Sequence, residues 1–281
     1  MIFDNYQDFK GTAMSAEQKT TNPGGEIVEL EVSGAIATLR LNDPATRNAL
    51  SSEMMDRLLV MLDNLGTTPE VHVIILEATG PVFSSGHNLK ELVQKKRDNE
   101  LPALFEHCSA LMQSVVNLPK PVIAKIDGNV TAAGTQLIAS CDLAYASAGS
   151  QFATSGINYG LFCSTPMVAL SRNVASKHAM EMLLTGDFID ATRAAEIGLI
   201  NAVFKAEELA AGVRAIAENI ASKSSVVVSM GKTAFYRQRG LPLADAYDLT
   251  SRVMCENMQT RDAEEGLTAF IEKRTPEWQG K

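Results

Sequence analysis

Short apolar runs alternate with helix-period segments through the first two-thirds of the chain, and this pattern constrains the fold more than any other feature. The clearest run is Val71-His72-Val73-Ile74-Ile75-Leu76. Six residues are too few for a buried helix, and such a run reads as a strand covered on both faces. Two alternating stretches precede it, Val28–Val32 and Ala35–Leu41, joined at Gly34; they predict a β-hairpin or neighbouring strands. Ser51–Leu65 predicts a helix with Met54, Leu58, Leu62 and Leu65 on one stripe and Gly66 as its stop. Leu101–Leu118 predicts another helix, and Pro121–Ile126 and Asp142–Ala146 predict further strands. From Thr165 onward the pattern is almost wholly helical, with Asp190 as an N-cap and Gly198 as a C-terminal stop. Helices follow over Leu209–Ala221, Val226–Tyr236, Leu243–Met258 and Asp262–Lys273. The class is α/β with a helical C-terminal subdomain.

The chain has 281 residues, 46% of them hydrophobic, enough to bury a sizeable core. Its net charge of −8 argues against a general nucleic-acid binder, though not against a local basic pocket. Cys108, Cys141, Cys163 and Cys255 are scattered without a CxxC pair, which argues against zinc and for buried, reduced thiols. No stretch approaches the ~18 apolar residues of a membrane helix, so no membrane partner is expected. Residues 1–25 carry Asp4, Asp8 and Glu17 but no Arg; they read as a flexible tail rather than a signal or transit peptide. The expected location is cytoplasmic, or the mitochondrial matrix in a eukaryote.

Two turns of small residues are the candidates for chemistry. Phe83-Ser84-Ser85-Gly86-His87-Asn88-Leu89 follows the VHVIIL strand, and Ala132-Ala133-Gly134-Thr135-Gln136 follows the Pro121–Ile126 strand. Small residues let a backbone approach a ligand closely. The helix that follows each turn begins with unpaired N–H groups. Side by side, the turns can aim two donors at one oxygen, an oxyanion hole. Plain connecting turns are the alternative reading.

Phe83-Ser84-Ser85-Gly86-His87-Asn88-Leu89-Lys90-Glu91-Leu92 resembles the F-S/A-S/A-G-x-D-L-K-E-L segment of the crotonase (enoyl-CoA hydratase/isomerase) superfamily. Leu41-Asn42-Asp43-Pro44-Ala45-Thr46-Arg47-Asn48-Ala49-Leu50 is similar to its L-N-R-P-x-x-x-N-A-L. Ile126-Asp127-Gly128 through Cys141-Asp142 resembles its V-N-G-x-x-x-G-G-G-x-E-L…C-D, with Ala132-Ala133-Gly134 in place of three glycines. Glu265-Gly266 through Arg274 matches its C-terminal E-G-x-x-A-F-x-E-K-R. The phrase from Phe152-Ala153-Thr154 to Pro166 resembles the subgroup of enoyl-CoA hydratase domain-containing proteins. The four motifs stand in register across residues 26–279.

The resemblance implies a spiral of ββα turns over 26–205 and a C-terminal helical subdomain over 206–281 that trimerises, often as a dimer of trimers. It implies an acyl-CoA substrate and no prosthetic group, the coenzyme A moiety being part of the substrate. By position, the backbone N–H groups of His87 and Ala133 polarise the thioester carbonyl, with Gly134 as the fallback for a register slip. Arg47, Ala49, Ser85, His87, Asn88, Leu89 and Lys90 lie on motifs that contact the coenzyme. Phe270 and Lys273 lie on the C-terminal motif that closes over a neighbouring subunit's nucleotide.

The sequence departs from the family where its hydratases carry two glutamates. Gln136 stands at the first position and Gly156 at the second. An amide does not ionise, and glycine has no side chain, so neither serves as acid or base. Each such group is typically worth ~10²–10⁴-fold in rate. His87, Asn158 and Tyr159 are substitute candidates, with packing or solvent exposure as the alternative for each. Gln136 can hold a water or a polar acyl group, or merely lie at a helix start. The expected function is an enoyl-CoA hydratase/isomerase-like protein with an oxyanion hole, or another thioester reaction (hydrolysis, decarboxylation, double-bond shift), or a non-catalytic acyl-CoA binder. A Gln136→Glu/Gly156→Glu double variant is the direct test of a hydratase site that lacks only its acids.

Overall fold

The computed structural model describes residues 25–281; the tail predicted over 1–25 lies, but for Gly25, outside the described residues. The chain opens with β1 (Val28–Ser33) and β2 (Ile36–Leu41), an antiparallel hairpin closed at Gly34, whose φ of 60° suits glycine. Helix α1 (Ser52–Thr67) is capped by the Ser51 hydroxyl, which accepts from the Met54 N–H. Gly66 lies inside this helix rather than ending it. A Cβ there would meet Leu118 at 3.1 Å, so its role is close packing, not termination.

Next come β3 (Val73–Ala78), β4 (Val82–Ser84), α2 (Leu89–Arg97) and α3 (Leu101–Asn117). They are followed by β5 (Val122–Ile126), β6 (Asn129–Thr131) and α4 (Ala133–Ser140). Then come β7 (Leu143–Ser147), β8 (Gln151–Ala153), α5 (Pro166–Leu170) and α6 (Ser176–Thr185). Two short strands interrupt the stretch read as almost wholly helical: β9 (Ile189–Asp190) and β10 (Ala202–Phe204), flanking α7 (Ala191–Glu196). Asp190 does cap α7, accepting from the Arg193 N–H, and Gly198 follows its end at φ 82°. The chain finishes with α8 (Ala206–Ala221), α9 (Ser225–Gln238), α10 (Leu243–Met258) and α11 (Arg261–Glu272).

The strands form two sheets, ordered β1-β2-β3-β5-β7-β10 and β4-β6-β8-β9. Consecutive turns of chain place one strand in each sheet: β3 then β4, β5 then β6, β7 then β8. Each turn advances one parallel step in both sheets. That is a spiral of ββα turns. The first sheet is covered on both faces, which explains the unbroken apolar run. In β3, Ile74 and Leu76 enter the core beneath α1 and α3, while Val73 and Ile75 meet Leu209, Val213 and Ala217 of α8. Thus α8 belongs to the packing of the sheet, whereas α10 and α11 pack on α9, which itself touches α3.

A buried cation ties α9 to the sheet. Lys232 Nζ donates to Asp142 Oδ2 (2.7 Å), Lys120 O (2.9 Å) and Val115 O (3.0 Å), and Tyr236 Oη donates to Asp142 Oδ1 (3.0 Å). Cys108, Cys141 and Cys163 are buried and unpaired. Burial pushes the Cys108 thiol up to about 12, so these groups are packing thiols.

Candidate active site

Parallel pairing of β4 with β6 puts their C-terminal ends side by side, and both small-residue turns leave from there. Turns at the carboxyl ends of parallel strands are the usual place for a ligand. Two glycines let the turns touch. A Cβ on Gly86, whose φ is 82°, would lie 2.9 Å from the Ala133 nitrogen and 2.9 Å from the Ala132 Cβ. A Cβ on Gly134 would lie 2.6 Å from the Ser84 carbonyl oxygen. The Thr131 hydroxyl donates to the Ser85 carbonyl (3.0 Å) and latches the turns together.

The second turn carries backbone strain. Ala132, the N-cap of α4, has φ 51° and ψ −117°, a region that residues with a Cβ rarely occupy. Its conformation is held by an N–H bond to the Ala153 carbonyl (3.0 Å). Ala133 follows as the first residue of α4, so its N–H has no partner within the helix.

A third segment supports the first turn. Asn48 is fully buried at φ 51°; its amide donates to the Thr79 and Val82 carbonyls (2.8 Å each) and its Oδ1 accepts from the Asp43 N–H (2.8 Å). This pins the loop carrying Arg47 and Ala49 beneath β4. The Leu50 N–H then donates to the Gly86 carbonyl (2.8 Å), and the Ser85 N–H to the Arg47 carbonyl (3.1 Å). The sequence contains Asn48 within a matching motif but gives no sign that it is the buried strut. Asn48 is one of the few non-glycine residues at positive φ, for which asparagine is suited.

Asn88 caps α2, its Oδ1 accepting from the Lys90 N–H (3.0 Å) and the Glu91 N–H (3.3 Å). Glu91 in turn accepts from the Ser52 N–H (3.1 Å) and hydroxyl, at the start of α1. Leu89 and Lys90 are exposed on the first turn of α2.

His87 packs edge-on against Phe105 of α3, centroids 5.6 Å apart. Neither ring nitrogen has a hydrogen-bond partner. Burial lowers its pKa below the ordinary 6.5 and outweighs the opposing pull of the Leu50 backbone and Glu91, so the ring is neutral at neutral pH. Gln136 is 5% exposed, and its Oε1 is buried without a partner. Being three residues after Ala133 on α4, it shares that residue's helix face.

The remaining candidates stand on other segments of the chain. Asn158 is exposed and donates to the Gly186 carbonyl at 3.4 Å. Tyr159 is likewise exposed. Phe270 (83% exposed) lies on α11, which packs on α9 and α10, and Lys273 is the C-cap of that helix. Gly156 is not an empty place waiting for a side chain: a Cβ there would sit 2.5 Å from the Leu161 carbonyl oxygen and 2.8 Å from Cys163 Sγ.

This geometry can now be set beside known proteins. The family described as Enoyl-CoA hydratase/isomerase matches residues 31–281. The chain belongs to that family. A Danio rerio relative, "Enoyl-CoA hydratase domain-containing protein 3, mitochondrial", is 44% identical over 96% of this chain and 93% of its own. The Homo sapiens protein of that name is 47% identical over 86% of this chain and 80% of its own. The crystal structure of human enoyl Coenzyme A hydratase domain-containing protein 3 superposes with a TM-score of 0.88 at 45% identity, covering 90% of this chain and 100% of that one. An enoyl-CoA hydratase from Mycobacterium smegmatis gives 0.89 at 42% identity, covering 90% and 99%. Within this enoyl-CoA hydratase/isomerase family the chain falls in the domain-containing protein 3 subgroup, and its spiral with C-terminal helices is the fold of these neighbours.

Proposed function

We propose that the protein binds coenzyme A thioesters and polarises their carbonyl with the backbone N–H groups of His87 and Ala133. The observation that carries this reading is the contact of the two turns at Gly86, which brings the N–H at the start of α4 against the turn that holds His87. Charge that develops on a thioester oxygen as an enolate is stabilised by such fixed dipoles, each typically worth ~3 kcal/mol. Arg47, Ala49, Ser85, Asn88, Leu89 and Lys90 flank the coenzyme end. Phe270 and Lys273 reach it from a neighbouring subunit of a homotrimer or dimer of trimers. The large exposed apolar residues of α10 and α11, such as Leu243, Tyr247, Phe270 and Ile271, favour such an assembly. The "mitochondrial" in the relatives' names supports the matrix as its location in a eukaryote.

The site lacks the acid–base pair of a hydratase. Gln136 cannot ionise, and the chain's own Leu161–Cys163 backbone and thiol crowd the place of a side chain at Gly156. Ordinary hydration is therefore slow or absent, and a different thioester reaction, or binding without turnover, is favoured. The test pairs calorimetric titration of butyryl-CoA with a hydration assay on crotonyl-CoA, for wild type and Gly86→Ala. The expected result is micromolar binding without efficient hydration in wild type, and binding lost in the variant. Absence of acyl-CoA binding by wild type, or efficient hydration, overturns the corresponding half of this reading.

A further inference from the structure

Helix α11 makes little apolar contact of its own. Of its 12 residues only Asp262 and Ala269 are buried, while Leu267, Phe270 and Ile271 are exposed. A free helix of ~12 residues is marginal in water. The segment that follows supplies what the helix lacks. Lys273, at φ 57°, reverses the chain, and residues 274–281 return along α11 to its start.

Two carboxylates three residues apart, on one face of α11, receive this segment. Glu265 accepts two bonds from the Arg274 guanidinium (2.6 and 2.8 Å) and one from the Glu277 N–H (2.7 Å). Asp262, 1% exposed, accepts from the Gln279 N–H (2.7 Å) and the Gly280 N–H (3.0 Å). The Asp262 N–H, in the first turn and without a partner inside the helix, donates to the Lys281 carbonyl (3.2 Å). The Trp278 ring lies beside Gly266, where a Cβ would come within 3.2 Å of it. Its Nε1 donates to the carbonyl of Ser222 (2.9 Å), the C-cap of α8. The segment thus ties the start of α11 to the helix that packs on the first sheet.

We propose that residues 274–281 are a latch that folds with α11 as one cooperative unit and opens without unfolding the spiral. Closed, it sets the exposed Leu267, Phe270 and Ile271 of α11 for a neighbouring subunit; this part rests on the homotrimer reading above. Most of the latch bonds are polar and lie near the surface, and units so built open at lower free energy than a core. The carboxylate bonds are charge-assisted, so each is worth more than a neutral one.

The experiment follows hydrogen exchange by mass spectrometry on the whole protein, in peptides covering α11, residues 274–281 and β3, for wild type and Asp262→Ala. Sedimentation velocity over a dilution series reads the assembly. Trp278 is the chain's one tryptophan, so its emission reports the latch directly. In wild type, α11 and 274–281 are expected to exchange together and well before β3. In Asp262→Ala both are expected to exchange about 10–100-fold faster with β3 unchanged, the range for losing one or two bonds to a charged group. Its Trp278 emission is expected to move to longer wavelength, and its assembly to dissociate at a higher protein concentration than wild type. Free-chain exchange of 274–281 beside a protected α11, or exchange of both only together with β3, overturns the latch. So does unchanged exchange in a folded Asp262→Ala variant. A latch that opens while assembly stays as in wild type overturns the coupling to the neighbour. A monomeric wild type overturns the homotrimer reading instead, and exchange then decides the latch. The wild-type exchange pattern decides it even if the variant does not fold.

Discussion

Replacing Ala132 by glycine should stabilise this protein, although alanine-to-glycine changes ordinarily do the reverse. The residue sits at φ 51°, ψ −117°, where a Cβ costs on the order of 1–3 kcal/mol. Three effects decide the net sign. Removing the Cβ releases that strain, about 2 kcal/mol at the centre of the range. The added freedom of glycine in the unfolded chain costs about 0.4–1 kcal/mol. The half-buried methyl, packed against the core, loses roughly half of the ~0.8 kcal/mol of a fully buried carbon. The balance is a gain of about 1 kcal/mol, or about 2–4 °C in Tm for a domain of this size. Ala133, next in the chain, is the internal control. It has ordinary helical geometry and is 1% exposed, so Ala133→Gly loses its methyl and its helix propensity with no strain to release. It should cost about 1–2 kcal/mol. Differential scanning calorimetry of both variants at one protomer concentration reads the two signs. An Ala132→Gly variant that melts with or below wild type would show that the turn is not strained, and the reasoning fails.

Gly156→Glu should destabilise the fold by about 1–3 kcal/mol, because its Cβ meets the Leu161 carbonyl at 2.5 Å; chemical denaturation measures this, and Gln136→Glu combined with it should gain no crotonyl-CoA hydration. Lys232→Ala should cost about 3–5 kcal/mol, since it leaves Asp142 and two carbonyls facing α9 without their cation; urea titration should show a lower midpoint at an unchanged slope. The lowered pKa of His87 means that the unfolded chain binds the proton more readily than the folded one. Its contribution is therefore fully present above pH 6.5 and is lost as pH falls through the lower, folded pKa. Thermal melts across that window should lose stability less steeply in His87→Phe than in wild type.

The sequence announced elements that rest on local rules and hid those that rest on stacking. The hairpin at Gly34, the Ser51 and Asp190 caps and the buried run of β3 all follow from periodicity and capping chemistry acting within a few residues. Strands β4, β6 and β8 are three residues each, too short for any period to show. They exist because the turns of the spiral pair them in register. The same holds for β9 and β10, which lie in a stretch whose composition reads as helix. Gly66 misled because a glycine in a helix pattern signals either a stop or a close neighbour, and Leu118, which supplies the neighbour, is remote in sequence. At the site, Gln136 was legible as a missing carboxylate, because identity at a motif position is a local fact. The strain at Ala132, the strut at Asn48 and the blockage at Gly156 are facts about backbone geometry.

That blockage changes what the missing glutamates mean. Were both positions simple truncations, two substitutions would restore a hydratase. At Gln136 the change is a swap of similar shape on an unaltered helix, and a carboxylate fits where the amide lies. At Gly156 the neighbouring Leu161–Cys163 segment has closed on the glycine, so the second carboxylate has no room without moving backbone. The two departures therefore differ in kind. The first changes the chemistry of one buried side chain, and the second changes the packing of the backbone. On the proposed reading, a chain that keeps the contact of its two turns at the cost of strain at Ala132, while giving up both proton-transfer groups, holds a polarised thioester but does not add water to one. The reaction to look for is one whose barrier falls when the carbonyl oxygen is stabilised and whose proton, if any, comes from the substrate or the solvent.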